Sequence, residues 1–551
     1  MHAPEQSAWA SSWFQAGAAA ALGWWAWPHG QAGSDLHAAG SVVAWLTAVQ
    51  RGFDGLRAWD YAAEMRRLHK MTEGTSDLHG TARWGTGKDA KAAGMFKHGG
   101  IVLGRLNGKL LSYSGPAHAL TLAPTRAGKG VSQIVPTCLT NPSPMIINDV
   151  KAQNYAVSAR FRREVLGHRI VCICPHHKRL NAELGLDIED AGHNMLSIVR
   201  LGPDVRDNAD LVALVLIPGK PLMSESETFF VRNARSLLAG SMLHLLTSEP
   251  EAVLTLPRLR RELSGAGEGL VEFIANMAAS KALGGVVAEY GHKLVEAMES
   301  QKQFQGILAS ACEPLDIYDG YSPLGKHVSE PGFDFRELDG GPPTTVYIIQ
   351  PSDRPETQAA WLNAVFSLAI EVIARRRNKG QRIWVQLDEL GACGYMPVLH
   401  RAMTQYAGAG LSLHLVAQGF GMLERIYGKG YKELVEQCEV ISAFGIRELQ
   451  TLETLSKMLG SETVANWSWT SGAAHRVGQD QDVSVASSEA RRPLLLPEEV
   501  RTMPSDRLLI LHTNKPPFFA EKIDYTKLRE WRLRRRADED PYHRKGRHGR
   551  A

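Results

Sequence analysis

The sequence predicts an α/β protein with a mostly parallel sheet, interrupted by an all-helical section and preceded by two apolar helices. Three observations lead there: short apolar runs alternating with amphipathic stretches, a central section with helical periods only, and an uncharged N-terminal run about as long as a bilayer core is thick. A chain of 551 residues exceeds one hydrophobic core, so two or three domains are expected. Its 44% hydrophobic and 22% charged residues exclude a mainly disordered chain. The net charge of +4 is too small to argue for nucleic-acid binding by itself.

From Ala8 to Trp27 ("AWASSWFQAGAAAALGWWAW") no residue is charged, and tryptophans stand near both ends as interfacial anchors do. A shorter apolar run covers Leu36 to Val49, followed by Arg51, Arg57, Arg66, Arg67 and Lys70, cations that belong on the inner side of a membrane. Residues 1–50 are therefore expected to form a transmembrane hairpin with a small outer loop, both ends cytoplasmic; buried helices or an interfacial anchor fit the same runs. Residues 51–80 read as a charged connector.

Next, "LHGTARWGTGKDAKAAGMF" reads as a loop with a short helix and "GGIVLGRLNGKLLSYSG" as a hairpin. Eight apolar runs are expected strands: His118–Ala123, Met145–Asp149, Arg169–Ile173, Thr345–Gln350, Ile383–Asp388, Leu411–Ala417, Glu439–Ala443 and Leu508–Thr513. Several lack a polar face, as strands of a parallel sheet covered on both sides do. Residues 208–318 show helical periods only and read as an all-alpha domain inserted between residues 81–207 and 319–525. Trp467 to Glu489 is expected to be a mobile loop. Residues 526–551 form a basic tail, either solvated or in contact with phosphates. The six cysteines show no metal-ligand spacing and are expected to be reduced, in a reducing compartment.

The chemistry concentrates in three places. In "TLAPTRAGKGVSQIVP" an apolar strand runs into a glycine-containing turn, a lysine and an apolar helix start. That order presents backbone N–H groups, a helix N-terminus and a cation to phosphate oxygens, which makes Pro124, Thr125, Arg126, Ala127, Gly128, Lys129, Gly130 and Val131 the expected phosphate loop. Gly130 stands where a Ser or Thr hydroxyl ordinarily holds magnesium. Second, "RIWVQLDELGACG" ends an apolar strand in Asp388 and Glu389, suited to ordering a hydrated magnesium ion and activating water; a helix N-cap is the plainer reading. Third, Gln418 closes the next strand, at the edge that lines the ligand crevice of an open sheet. A surface Gly-Lys-Gly turn or a loop Gln is ordinary alone; the order of loop, acidic pair and Gln favours nucleotide chemistry.

The blocks "APTRAGKGVSQIVPTCLTNPSPMIINDVKAQNY", "WVQLDELGACGYMPVLHRAMTQYAGAGLSLHLVAQ", "LETLSKMLG" and "RRPLLLPEEVRTMPSDRLLILHTNKPPFFAEKIDY" together resemble conjugative type IV coupling proteins of the TraG/TraD kind, from about "LHGTARWGT" to Tyr525. The resemblance implies a RecA-like P-loop ATPase with an inserted all-alpha domain, anchored in the lipid of the bacterial inner membrane. It implies a homo-hexamer that uses ATP and Mg2+ and brings relaxase-bound DNA, single- or double-stranded, or effector proteins to the inner-membrane components of a type IV secretion system. Lys129 would bind phosphate, Asp388 the metal, Glu389 would activate water and Gln418 would couple hydrolysis to movement. Gly130 resembles a variant of the TraG branch. "NDVKAQNY" departs from the family's Asp-x-Lys-Gly-Glu block, keeping Asp149 and Lys151 but placing Ala152 and Gln153 next; Lys151 is expected near the nucleotide or a subunit contact. Arg401 and Arg447 are candidates for an arginine offered to a neighbouring subunit. Two alternatives stay open: a nucleotide-regulated cargo-docking platform with little hydrolysis, and a chromosome-partition type DNA translocase, which the short interval after the apolar runs disfavours.

Overall fold

The computed structural model describes residues 80–265, 268–351, 355–471, 483–527 and 530–542. The expected membrane hairpin lies outside the described residues, among which no single helix is long and apolar enough to cross a membrane.

In chain order the strands are β1 (Ile101–Leu106), β2 (Lys109–Tyr113), β3 (His118–Leu122), β4 (Met145–Asp149), β5 (Arg169–Ile173), β6 (Thr344–Ile349), β7 (Ile383–Leu387), β8 (Leu411–Ala417), β9 (Cys438–Ala443), β10 (Ser461–Ser471), β11 (Val483–Pro493), β12 (Arg507–His512) and β13 (Phe518–Glu521). Eleven form one sheet in the order β2-β1-β13-β12-β9-β3-β8-β7-β4-β6-β5. From β9 to β5 every pairing is parallel. The four strands on the other side join antiparallel. β1 and β2 turn through Asn107 and Gly108, both at positive φ, the pair of left-handed residues a two-residue hairpin needs.

The strands read as unbroken apolar runs because helices cover both faces. Ile146, Val346, Val385 and Leu387 face one core, and Met145, Ile147, Tyr347 and Trp384 the other. Between β5 and β6 the described residues form helices and connecting turns with no named strand; the longest, Glu225–Ser248, starts with a Ser224/Glu227 capping box. All six cysteines are free, and five are buried.

Two expectations are corrected. Much of the expected loop at Trp467–Glu489 is β ladder: β10 and β11 pair from Ser461↔Pro493 to Ser471↔Val483, and only 472–482 lie outside the described residues. The polar tip masked β-forming Thr463, Val464, Trp467, Val483 and Val485 on its flanks. The tail is not simply solvated either. Its helix Trp531–Arg536 buries Leu533 beside Val135, Leu139 and Phe161. Arg536 Nη1 donates to the Leu139 carbonyl at 3.0 Å, near the C-terminus of helix Val135–Thr140, where a cation is favoured. Residues 543–551 lie outside the described residues.

Candidate active site

Register places the site. Leu122 of β3 pairs with Ala417 of β8, and Leu415 of β8 with Leu387 of β7, so the chain leaves all three strands at one edge. β8 lies between the strand that leads to Lys129 and the strand that leads to Asp388.

After β3 the backbone folds into a tight turn in which the Ala127 N–H donates to the Pro124 carbonyl at 3.1 Å. Arg126 (φ 66°) and Gly128 (φ 87°) are both left-handed, and glycine carries that conformation without steric cost. A Cβ on Gly128 would also meet Lys522 Nζ at 3.4 Å. Lys129 returns to right-handed geometry (φ −54°, ψ −43°), and Gly130–Ile134 form a widened helical turn closed by the Val135 N–H donating to the Gly130 carbonyl. Pro136 accounts for the widening: it has no N–H for the carbonyl of Ser132, four residues back, and its ring crowds that carbonyl. Gln133 anchors the turn to the sheet, accepting from Thr121 Oγ1 at 2.8 Å and donating to the Leu103 carbonyl at 2.9 Å.

Lys129 Nζ lies 2.7 Å from Glu389 Oε2 and 3.1 Å from Asp388 Oδ1, and Gln418 Nε2 donates to Glu389 Oε1 at 2.9 Å. The structure thus brings Lys129, Asp388, Glu389 and Gln418 into one cluster. Glu389 is left-handed (φ 71°), strain of about 1–3 kcal/mol that is typical where geometry serves chemistry. Asn148 Nδ2 holds the Asp388 carbonyl at 2.7 Å. Burial pulls the Lys129 ammonium toward neutrality, but the Asp388 and Glu389 carboxylates outweigh it and hold its pKa above the ordinary value. Burial raises Asp388 against the opposing pull of Lys129. Burial also raises Asp149, at the end of β4, to about 6, with the nearby Asp388 adding to the shift.

The cluster fits a nucleotide with magnesium. Asp388 Oδ1 is buried and, despite its closeness to Lys129, makes no aligned hydrogen bond. Among the described residues no three His, Cys, Asp or Glu side chains gather as a cage, so a divalent ion here would take its other ligands from phosphates and water.

Other expected residues fall elsewhere. Thr125 and Arg126 are exposed, and the Ser132 hydroxyl is buried without a partner. Lys151 is exposed, 5.9 Å from the Tyr542 ring centroid. Arg401 is paired with Glu371, which also accepts from Tyr406. Arg447 is exposed beyond β9 and unpaired among the described residues.

Sequence reasoning missed Gln133, Asn148 and Lys522. Lys522 Nζ donates to the Ala127 carbonyl at 2.6 Å and lies 4.8 Å from the Phe444 ring centroid, pinning the turn from outside. A polar Gln in an apolar helix start was a usable signal; nothing near Lys522 in sequence marks it.

The family described as type IV secretory system conjugative DNA transfer matches residues 65–540. The conjugal transfer protein TraG of Escherichia coli is 27% identical over 474 residues, covering 78% of this chain and 72% of that protein. The type IV secretion system-coupling protein VirD4 of Bartonella quintana (strain Toulouse) is 24% identical over 428 residues, covering 76% of this chain and 64% of that one. Among solved structures, the unbound monoclinic form of the bacterial conjugative coupling protein TrwBdeltaN70 superposes with a TM-score of 0.60 at 17% identity, covering 80% of this chain and 92% of its own. The plasmid coupling protein TrwB in complex with ADP and Mg2+ gives 0.59 at 16%, covering 80% and 94%. At such identities the structural likeness shows the fold.

Proposed function

This chain belongs to the type IV secretory system conjugative DNA transfer family, and from that premise we infer that it is a coupling ATPase whose hydrolysis site is the Lys129 cluster. The observation that carries the reading is the convergence of Lys129, Asp388, Glu389 and Gln418 within hydrogen-bond reach at one sheet edge. The Lys129 ammonium takes the β- and γ-phosphates of ATP, for which phosphate oxygens compete with the two carboxylates. The Glu389 carboxylate then accepts the proton of the attacking water. Gln418, whose amide donates to Glu389, orients that base and senses its state. Asp388 would hold Mg2+, which would offset charge on the phosphates. The relative crystallised with ADP and Mg2+ supports this choice of ligands.

In this reading residues 81–207 and 319–525 form the nucleotide-binding domain, 208–318 is an inserted all-alpha domain, and residues 1–50 anchor the chain in inner-membrane lipid. A homo-hexamer handles DNA together with a relaxase or effector proteins and the secretion components of that membrane. Arg401 is committed to Glu371, which leaves Arg447 as the arginine to offer a neighbouring subunit. Gly130 favours one rival, a docking platform with little turnover, because the loop lacks the hydroxyl that holds magnesium.

The test is magnesium-dependent ATP turnover by the full chain, with and without single-stranded DNA, for the natural protein and Glu389→Gln. Turnover by the natural protein is expected, with a fall of about 10²- to 10⁴-fold in the variant and ATP binding retained. Full turnover in the variant would remove Glu389 from the chemistry, and no turnover by the natural protein would favour the platform.

A further inference from the structure

Beyond β5, the edge strand of the parallel set, a cleft of about 440 Å³ opens at the same C-terminal ends of the strands as the loop after β3 but displaced along the sheet, between the segment after β5 and residues 321–330, where the chain returns from the helical section. Its floor is hydrogen-bonded internally. The buried His327 places Nδ1 2.7 Å from Asp190 Oδ2, and Asp190 Oδ1 accepts from the Cys174 N–H at 2.8 Å, so both oxygens of that carboxylate are engaged inside the fold.

The walls are cationic. Lys178, from the segment after β5, and Lys326, from residues 321–330, both line the cleft, both exposed and without a partner among the described residues. Arg179 lines it as well, 2.8 Å from Glu183. Glu330 is the one acidic group besides Asp190 in the lining.

At the rim stands Tyr321, 93% exposed. Its turn is fixed, since Asp319 Oδ1 accepts from the N–H groups of Tyr321 and Ser322, each at 2.9 Å. An aromatic face held in water by an ordered turn, lining the same cleft as two unpaired ammonium groups, offers the two elements that grip a single strand: a stacking platform and cations for the backbone. The volume suits a group of nucleotide size. An acidic peptide would use the lysines and leave the ring idle.

We propose that this cleft binds one nucleotide unit of single-stranded nucleic acid, its base stacked on Tyr321 and its phosphodiester between Lys178 and Lys326. The proposal rests on the DNA-coupling reading and adds a site remote from the hydrolysis cluster.

The test uses the full chain and a fluorescent thymidine oligonucleotide about 20 long, titrated over a range of salt, with ATP turnover measured in the absence of DNA. Tyr321→Ala is expected to weaken binding roughly five- to hundred-fold, and Tyr321→Phe to restore it. The Lys178→Ala/Lys326→Ala double variant is expected to lower the salt slope by about 0.7, the effect of one phosphate no longer neutralised on a single strand. DNA-free turnover is expected to stay unchanged in all three. Natural affinity and slope in Tyr321→Ala and the double variant would overturn the cleft and leave the coupling reading standing. Failure of the natural protein to bind the oligonucleotide would overturn both. Displacement by polyglutamate as effective as by unlabelled oligonucleotide, with Tyr321→Ala binding normally, would reassign the cleft to acidic peptides and overturn the nucleic-acid proposal.

Discussion

Gly130→Thr asks whether the glycine after Lys129 is a requirement of this loop's backbone or only a missing magnesium ligand. The structure shows no backbone requirement. Gly130 opens a helical turn, is absent from the positive-φ glycines, and a Cβ built on it would meet no atom within 4 Å. Threonine there incurs no positive-φ strain and its Cβ no clash, and because glycine is the poorer helix residue the change is expected to stabilise by a few tenths of a kcal/mol. The new hydroxyl would add a protein ligand for Mg2+. Taking a net polar contact of about 0.5–1.5 kcal/mol, half-maximal turnover is expected at roughly two- to twelve-fold lower magnesium. The assay is a magnesium titration of ATP turnover at saturating ATP, with thermal unfolding followed in parallel. Gly128→Ala is the internal contrast: at φ 87°, with Lys522 Nζ 3.4 Å from the new Cβ, it is expected to lose nucleotide binding. A folded Gly130→Thr chain that no longer binds nucleotide would refute the reasoning and show that the loop has its own geometry.

Lys522→Met keeps the stem and removes the bond to the Ala127 carbonyl; nucleotide Kd is expected to rise about tenfold with little change in unfolding temperature, as for the loss of one charge-assisted hydrogen bond to a preorganised loop. An unchanged Kd would show that the turn holds its shape alone. Asp149 carries a pH signature opposite to that of most native carboxylates: its folded pKa of about 6 exceeds the ordinary 3.8 because it is buried, so between those values the folded chain binds more protons than the unfolded one and stability falls as pH rises, by up to about 3 kcal/mol. Asp149→Asn, which keeps an acceptor for the Tyr155 N–H, is expected to flatten the denaturation midpoint between pH 4 and 6; parallel pH dependence in both proteins would remove Asp149 as its source.

Element types were legible because they are written in local periodicity. Apolar runs without a polar face at Met145, Thr345 and Ile383 could only be buried strands, and the change to helical periods after residue 207 survives any tertiary arrangement. The members of the candidate site were legible for the same reason: a strand, a glycine turn and a lysine, then an acidic pair, then an amide can be read one segment at a time. The β10–β11 ladder and the folded tail were misread because their polar residues describe what faces solvent, while pairing and docking depend on partners distant in the chain. Strand order was beyond the sequence. Nothing local states that β8 lies between β3 and β7, yet that placement brings Lys129 within 2.7 Å of a carboxylate 260 residues away. The same holds for Lys522 bonded to the Ala127 carbonyl and for Tyr321, Lys326 and Lys178 lining one cleft: each group is unremarkable in its own segment. A side chain's chemistry is fixed by its residue, but its electrostatic partners are chosen by long-range packing, and only the folded chain makes that choice.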